Sequence, residues 1–214
     1  MIEGARPNIV IVDYMMGNLR SVEKGFSAAG VDGVVVSGNP EVIASACGIV
    51  VPGVGAFRDA AAHLTNSGLR DVLLERASAE VPMLGICLGM QLLATVGLED
   101  GEWDGLDLVP GVCERLPGGV KVPHIGWNTV EQSRSSALFD GIDDGTAFYF
   151  VHSYHLVPDD QSQVIGRTVH GVPFAAAVRA GSVFGVQFHP EKSSEAGLRL
   201  LRNFASIVQE GSRP

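Results

Sequence analysis

Apolar runs recur along the first hundred residues of the chain, and each is followed by a segment with helical spacing. Residues 8–12 form such a run and end at Asp13, a pattern typical of a strand buried on both faces. In residues 19–29 the apolar positions repeat every three or four residues, which predicts a helix that Gly30 terminates. The same alternation predicts strands at 33–36, 49–51 and 83–86 and helices at 41–47, 56–78 (broken at 66–68) and 88–95. Strands that alternate with helices in this way predict a parallel sheet covered by helices on both faces.

The pattern changes after about residue 100, where short β-rich runs replace the helices. These runs occupy residues 109–116, 120–123, 129–131, 147–151, 164–169, 174–178 and 183–188. Residues 195–209 then carry apolar side chains on one face and predict a final helix. Because no repeat or linker divides the chain, we predict a single domain over residues 1–214. Its fold class is α/β, with a flavodoxin-like, open, mostly parallel sheet and added antiparallel strands in the C-terminal half.

Composition narrows the functional classes. The 214 residues carry a net charge of −9 without a basic cluster, which argues against a nucleic-acid partner. The longest uncharged run, residues 81–98, contains Pro82 and several glycines and favours a buried strand, turn and helix over a membrane span. Three cysteines without paired spacing predict neither a disulfide framework nor a metal site. We therefore expect no cofactor, no metal, no membrane contact and a cytoplasmic location.

A cysteine framed by glycines is the first candidate for chemistry. Gly85-Ile86-Cys87-Leu88-Gly89 has the pattern of a nucleophile elbow, in which the nucleophile stands on a tight turn between a strand and a helix. A helix N-terminus favours the thiolate, and the Leu88 N–H would face a developing oxyanion. The alternative is a buried structural cysteine, which is the role that we expect for Cys47 and Cys113.

A histidine and a glutamate follow the last predicted strand. His189 and Glu191 are two residues apart, and Pro190 favours an extended backbone at His189, so both side chains would face one site. The pair predicts a general base held by a carboxylate, although a strand-end histidine beside a surface glutamate gives the same pattern. His152 and His155 would face opposite sides of one strand, which argues against a metal pair.

Six motifs give the chain a resemblance to a known family over nearly its whole length. They are Asp13-Tyr14 with Gly17-Asn18-Leu19, Pro52-Gly53-Val54-Gly55, Gly85-Ile86-Cys87-Leu88-Gly89-Met90-Gln91, His124-Ile125-Gly126-Trp127-Asn128, Phe150-Val151-His152-Ser153-Tyr154 and Gln187-Phe188-His189-Pro190-Glu191-Lys192-Ser193. Together they resemble the class I (triad) glutamine amidotransferases, and within them the glutaminase subunits of imidazole glycerol phosphate synthases. One position departs from the usual first motif, because Met15 replaces a glycine in the loop near the partner surface.

The resemblance implies that glutamine is hydrolysed through a thioester. Cys87 would attack the side-chain carboxamide, His189 would carry the proton to ammonia, and Glu191 would orient the imidazole. The oxyanion would be held by backbone N–H groups of Leu88 and of the loop Gly53-Val54-Gly55, which would act as a switch that turns when the partner is loaded. The residues implied to hold glutamine are Gln91, Ser153 and Tyr154.

The resemblance also implies a partner. Ammonia released into water would be protonated and lost as a nucleophile, so its release must face a sealed surface. In the family that surface belongs to a (β/α)8-barrel cyclase subunit, and the two subunits form a heterodimer. The partner-facing positions are matched by Asn18, Trp127, Tyr149 and Lys192. Three alternatives remain open: the glutaminase of another synthase, such as the anthranilate or pyridoxal phosphate enzyme, a non-catalytic flavodoxin-like binding module, and a stand-alone thiol hydrolase.

Overall fold

The central strands form one nine-stranded sheet in the computed structural model, which describes residues 9–211. The helices are α1 (Leu19–Ala28), α2 (Pro40–Ala44), α3 (Phe57–Asn66), α4 (Leu69–Ser78), α5 (Leu88–Gln91) and α6 (Ser194–Gly211). The strands are β1 (Ile9–Val12), β2 (Val34–Ser37), β3 (Gly48–Gly53), β4 (Met83–Cys87), β5 (Val96–Gly97), β6 (Trp103–Asp104), β7 (Gly111–Arg115), β8 (His124–Gln132), β9 (Thr146–His152), β10 (Tyr154–Pro158), β11 (Val164–His170), β12 (Val172–Ala180) and β13 (Val183–Val186).

One half of the large sheet is parallel and the other is antiparallel. The strand order is β2-β1-β3-β4-β13-β12-β11-β8-β9, and β10-β7-β5-β6 form a smaller sheet. Neighbours from β2 through β13 run parallel, whereas those from β13 through β9 run antiparallel. The predicted fold class is therefore confirmed, including the antiparallel strands in the C-terminal half.

Strand β1 shows why the sheet is buried on both faces. Successive side chains of a strand point to opposite faces. Ile9 and Ile11 accordingly pack in the core that contains apolar residues of α1 and α6, and Val10 and Val12 pack in the core that contains those of α3 and α4. Each fully buried aliphatic side chain of this kind contributes roughly 1.5–3 kcal/mol to folding.

One predicted element is shorter than expected and another is absent. The helix expected over residues 88–95 ends at Gln91, because the chain turns through Leu93 and Ala94 and then enters β5. Thr95 N, just before β5, donates to Gly111 O over 3.0 Å. The strand expected at 120–123 is absent, since this segment belongs to a loop that begins with Pro117-Gly118-Gly119 and ends at Pro123. The uncharged run 81–98 folds as β4, α5 and β5, within the protein interior for most of its length.

Other boundaries shift, and three strands were not predicted. The run 183–188 is a strand only to Val186, and the run 129–131 is the end of the longer strand β8. The short strands β5 and β6 and the strand β10 carry too weak a pattern to be read from the sequence. Asn8, the first residue of the first predicted strand, lies outside the described residues. No helix within residues 9–211 combines the length and apolar character needed to cross a membrane.

Candidate active site

Cys87 stands on a strained turn where β4 meets α5. Its backbone has φ 54° and ψ −108°, a region that residues with a side chain rarely occupy. The turn leaves no room at its two glycines: a Cβ on Gly85 would lie 2.6 Å from the Gly89 carbonyl oxygen, and a Cβ on Gly89 would overlap the carbonyl oxygen of Val51. The local sequence therefore produces the elbow geometry, with Cys87 at the carboxyl end of the central strand β4 and 6% of the residue exposed.

His189 and Glu191 form a buried pair next to this turn. The His189 Nδ1 and a Glu191 carboxylate oxygen are 2.9 Å apart, and the two side chains are only 3% and 1% exposed. The expected extended backbone holds at His189 alone, because Pro190–Lys192 form a 3-10 turn. This turn, and not a continuous strand, carries the carboxylate to the imidazole. The outcome matches the sequence prediction, whereas the path of the backbone does not.

The His189 imidazole has an elevated pKa. Burial lowers the pKa, but the close approach of Cys87 and the hydrogen bond to Glu191, together with their negative charges, outweigh burial and raise the pKa of His189 from 6.5 to about 9. The other ring nitrogen, Nε2, makes no hydrogen bond of good geometry within residues 9–211. Contacts of this kind are often long in ligand-free sites and shorten when the substrate binds. The electrostatics favour an imidazolium beside the sulfur at neutral pH.

The pKa of His189 supplies a first prediction. Glu191→Gln removes the carboxylate charge that raises the pKa of His189, whereas burial continues to lower this pKa. We therefore expect the NMR titration midpoint of His189 to fall well below about 9. Because the pKa in the folded protein exceeds the ordinary value of 6.5, this ionisation stabilises the fold below pH 6.5 and the contribution is lost as pH rises through about 9. The stability advantage over Glu191→Gln should therefore shrink over that range. Glu195→Gln, at an exposed position, is the control, and an unchanged midpoint in Glu191→Gln would contradict the assignment.

A cavity of about 260 Å³ opens at the Cys87 side chain. It is lined by Val54, Gly55, Cys87, Leu88, Gln91, Glu99, Pro123, Val151, His152, Ser153 and Tyr154. The residues predicted to hold glutamine therefore lie together with the predicted nucleophile. Glu99 was missed by the sequence analysis and is the one acidic side chain among these lining residues. It accepts a hydrogen bond of 2.6 Å from Phe57 N, which holds its carboxylate in place.

The loop Gly53-Val54-Gly55 borders the same cavity. Gly55 has φ +108°, which a residue with a side chain adopts only under strain, and Val54 is exposed. Within residues 9–211 the Val54 N–H makes no backbone hydrogen bond outside the strand ladder. Val54 itself lies just outside β3, which ends at Gly53. Leu88, the other predicted oxyanion residue, is the first residue of α5 and directly follows the sulfur-bearing residue.

A family model for glutamine amidotransferase class-I matches residues 10–208. The chain belongs to that family. The chain is 52% identical over 201 residues to the imidazole glycerol phosphate synthase subunit HisH of Moorella thermoacetica, covering 94% of this chain and 95% of that protein. It is 48% identical over 202 residues to the subunit of the same name in Archaeoglobus fulgidus, covering 94% and 99%. The resemblance predicted from the motifs is thus confirmed, and this class-I amidotransferase is an enzyme subunit of the imidazole glycerol phosphate synthase type.

Solved structures give the same fold at much lower identity. A structure described as PurLQS from Thermotoga maritima superposes with a TM-score of 0.74 at 19% identity and covers 94% of this chain and 98% of its own. A crystal structure of a glutamine amidotransferase superposes with a TM-score of 0.73 at 19% identity, with coverages of 94% and 99%. At this identity the likeness concerns the architecture of the class-I amidotransferase alone.

The loop motif of this amidotransferase is pinned by a tyrosine. The Tyr14 hydroxyl donates a 2.6 Å hydrogen bond to the carbonyl oxygen of Pro52, and Tyr14 is only 1% exposed. Burial, followed by the charge of Cys87, raises the pKa of Tyr14 above its usual value and keeps the hydroxyl protonated. Nearby Met15 has φ 69° and is 80% exposed. The usual glycine at that position is therefore explained by a left-handed backbone, which methionine adopts here at a cost of about 1–2 kcal/mol.

The hydroxyl of Tyr14 leads to a second prediction. Tyr14→Phe leaves the buried Pro52 carbonyl without its donor, which costs about 1–3 kcal/mol. We expect a melting temperature lower by roughly 2–4 °C for each kcal/mol in a chain of this size. Thermal unfolding followed by circular dichroism measures it. The hydroxyl of Tyr149 forms no hydrogen bond among residues 9–211, so Tyr149→Phe should leave the melting temperature within about one degree. Equal melting temperatures for the two variants would contradict the role of the Tyr14 hydroxyl.

Three of the four predicted partner-facing residues are exposed, and the fourth is partly buried. Asn18 and Lys192 are exposed, Trp127 is 54% exposed, and Tyr149 is partly buried. Trp127 and Tyr149 are paired across β8 and β9, and their rings meet edge to face with centroids 6.1 Å apart. His189 N donates to Tyr149 O over 2.9 Å. This hydrogen bond connects the Trp127 and Tyr149 rings at the sheet surface, through the backbone of β9, with the buried His189–Glu191 pair.

The placement of His152 and His155 differs from the prediction. They do not share one strand, since His152 ends β9 and His155 belongs to β10. Across residues 9–211 no group of three or more histidine, cysteine or acidic side chains is arranged to hold a metal ion. Cys47 is partly buried and Cys113 is buried.

Proposed function

We propose that this subunit hydrolyses L-glutamine to glutamate and ammonia through a thioester on Cys87. The observation that carries the proposal is the Cys87 elbow, which faces a cavity and stands beside the buried His189–Glu191 pair. An imidazolium with a pKa of about 9 stabilises a neighbouring thiolate, and the thiolate is the nucleophilic form of cysteine.

The proposed reaction has two stages. The sulfur of Cys87 adds to the carboxamide carbon of glutamine, and the imidazolium of His189 gives its proton to the departing nitrogen, so that ammonia leaves. Neutral His189 then takes a proton from water, whose hydroxide adds to the thioester and restores the Cys87 sulfur while glutamate forms. Glu191 keeps the imidazole in place and stabilises its cationic form throughout.

Residues of the cavity wall carry polar groups that suit those of glutamine. Glutamine carries an α-ammonium group, and we propose that the carboxylate of Glu99 pairs with it. The side chain of Gln91 and the residues Ser153 and Tyr154 would supply the polar groups that position the remainder of the molecule. The oxyanion of the tetrahedral intermediates would be stabilised by the N–H groups of Leu88 and of the Val54 peptide.

We further propose a (β/α)8-barrel cyclase as the partner in a heterodimer. The cyclase would consume the ammonia to form imidazole glycerol phosphate in the cytoplasmic pathway to histidine. Asn18, Trp127, Tyr149 and Lys192 would contact it. A short backbone route supports communication, because Tyr149 N donates to Ser193 Oγ over 3.0 Å and Ser193 Oγ donates to His189 O over 2.6 Å. A displaced β9 would therefore shift the backbone of His189.

The test combines labelling with turnover. A glutamine-derived chloroketone should alkylate Cys87, as shown by peptide mass spectrometry, and glutamate release should rise strongly when the cyclase and its nucleotide ligand are added. Absence of labelling at Cys87 would favour the non-catalytic binding module. Equal glutaminase rates with and without the cyclase would favour the stand-alone hydrolase and remove the synthase assignment.

The loop switch supplies a third prediction. Gly55 has a positive φ of +108°, and proline fixes φ near about −65°. In Gly55→Pro the Val54 peptide would lose its freedom to turn toward Cys87, so we expect stimulation by the loaded cyclase to fall at least roughly tenfold, as for loss of an oxyanion donor. Labelling of Cys87 checks that the nucleophile itself remains intact. Full stimulation in Gly55→Pro would contradict the switch.

A further inference from the structure

Two buried histidines outside the proposed catalytic pair are joined to each other. His124 on β8 lies directly opposite His152 on β9, and the two residues are 3% and 6% exposed. Their rings are connected through His124 Nδ1 and His152 Nε2, which are 3.0 Å apart. Since His152 also lines the cavity at Cys87, the pair leads from the sheet interior to the proposed glutamine site.

One end of this connection determines which nitrogen of His152 carries hydrogen. His152 Nδ1 is 2.9 Å from the carbonyl oxygen of Tyr154, and a carbonyl oxygen only accepts hydrogen bonds. Nδ1 must therefore be the donor, and in a neutral ring Nε2 is then an acceptor. It follows that His124 Nδ1 donates to His152 Nε2.

The other end gives the same direction independently. The side-chain nitrogen of Asn128 donates to the carbonyl oxygen of Val169 over 2.9 Å, which fixes the orientation of this amide. The same nitrogen is 3.4 Å from His124 Nε2. Because the amide nitrogen carries only hydrogens, His124 Nε2 must accept, and the proton of His124 must reside on Nδ1. Both histidines are thus neutral and protonated on Nδ1.

A second proton would disrupt this arrangement. On His124 Nε2 it would point at the Asn128 amide hydrogens, and on His152 Nε2 it would point at the N–H of His124. Burial and the neighbouring His170 lower the pKa of His124 to about 4, and burial, with smaller effects of the other histidines, lowers the pKa of His152 to about 3. The geometry and the electrostatics agree that the chain of hydrogen bonds persists at neutral pH.

The chain of hydrogen bonds continues to the proposed substrate site. The carbonyl oxygen of Tyr154 accepts a second hydrogen bond, of 2.8 Å, from Gln91 Nε2, which also donates to Gln187 Oε1 over 3.1 Å. Gln187 Nε2 in turn donates to the Cys87 sulfur over 3.6 Å. With its nitrogen engaged twice, Gln91 has its oxygen, Oε1, left as an acceptor at the cavity wall, and this oxygen has no partner among residues 9–211.

We propose that Asn128, His124 and His152 are positioning residues, whose directed hydrogen bonds to the Tyr154 carbonyl hold the Gln91 amide with its oxygen toward the bound glutamine. The inference deepens the proposed function and rests on glutamine binding in this cavity. An acceptor at this place suits the N–H groups of glutamine. The chain also begins next to the exposed Trp127, so a partner that moves β8 would alter the site through Asn128.

The first test is spectroscopic and does not depend on turnover. Long-range 1H–15N NMR spectra of the full chain, uniformly labelled with 15N, distinguish the two neutral tautomers and the cation of each histidine. At neutral pH we expect the Nδ1–H form for His124 and His152. His170 should carry a hydrogen on Nε2 whichever form it takes, since its Nε2 contacts the Lys121 carbonyl over 2.6 Å. An Nε2–H form or a cation at His152 would overturn the proposal even if the protein is an active glutaminase.

The second test asks whether this chain of hydrogen bonds affects the binding of glutamine. Asn128→Asp replaces the amide donor by a carboxylate, so His124 must carry a hydrogen on Nε2. In a neutral ring this hydrogen is withdrawn from Nδ1 and hence from His152, and the same spectra distinguish that tautomer from a cation that keeps both hydrogens. We expect the KM for glutamine, measured in the complex with the loaded cyclase, to rise about tenfold, as for one lost hydrogen bond, with kcat within about twofold. Thr129→Ala, at the next and exposed position, is the control and should leave both constants unchanged.

The outcomes separate the two proposals. A tautomer change in Asn128→Asp with an unchanged KM would overturn the positioning role, and so would an equal loss in kcat and kcat/KM without a change in KM. If the wild-type complex releases no glutamate, the proposed function fails. The tautomers of His124 and His152 then still report whether the chain of hydrogen bonds exists.

Discussion

Replacing Cys87 with alanine is expected to lower the rate of glutamine hydrolysis by about ten-thousand-fold or more, because the thioester cannot form without the sulfur. The protein should keep its fold, since the substitution removes one atom at a residue that borders a cavity. Release of glutamate in the presence of the loaded cyclase measures the effect, and circular dichroism verifies the fold.

The matched control is Cys47→Ala. Cys47 is a partly buried cysteine that packs beside the core. We expect its activity to stay within about twofold of the unsubstituted protein, because packing changes away from the site leave transition-state contacts in place. Rapid turnover by Cys87→Ala, or an equal loss in both variants, would exclude Cys87 as the nucleophile.

Gly89→Ala is expected to have the largest effect on folding. The added methyl group would overlap the carbonyl oxygen of Val51, which belongs to the buried strand β3 and has no room to move. The elbow would have to open, so we expect a loss of about 3 kcal/mol or more in the free energy of unfolding, measured by urea denaturation. A variant that accumulates only as aggregate would agree with this expectation.

Gly118→Ala is the control for this substitution. A Cβ at Gly118 meets no atom within 4 Å, and its backbone has no positive φ. We expect its stability to change by less than about 0.5 kcal/mol. If Gly89→Ala were equally mild, the close contact between the elbow and β3 would not restrain the nucleophile.

Local chemistry explains why much of the candidate site was predictable. The run Gly85–Gly89 contains both the glycines that a tight turn requires and the residue that the turn presents, so a pattern of five residues carries the geometry. Similarly, the unbroken apolar run of β1 predicts burial on both faces without knowledge of its neighbours. His189 and Glu191 are so close in the chain that even a wrong backbone path between them led to the right pairing.

Other features depend on pairings between distant segments. The short strands β5 and β6 are two residues long, and their hydrogen-bond partners, not their own side chains, make them strands. Glu99 reaches the cavity because of this small sheet and the contact with Phe57 N, forty-two residues away. No local pattern distinguishes it from the other acidic residues on the surface.

The amino-acid sequence by itself determined the alternation of strands and helices, the elbow at Cys87, the pairing of His189 with Glu191 and the family. The first three follow from backbone sterics or from side chains a few residues apart, and the family follows from six short motifs along the chain. Only the tertiary structure decided that His124 meets His152, that Tyr14 holds Pro52 and that Gln91 Nε2 donates to the carbonyl oxygen of Tyr154. These contacts join segments that lie 28, 38 and 63 residues apart in the chain. The direction of a hydrogen bond depends on which acceptors the packed neighbours supply.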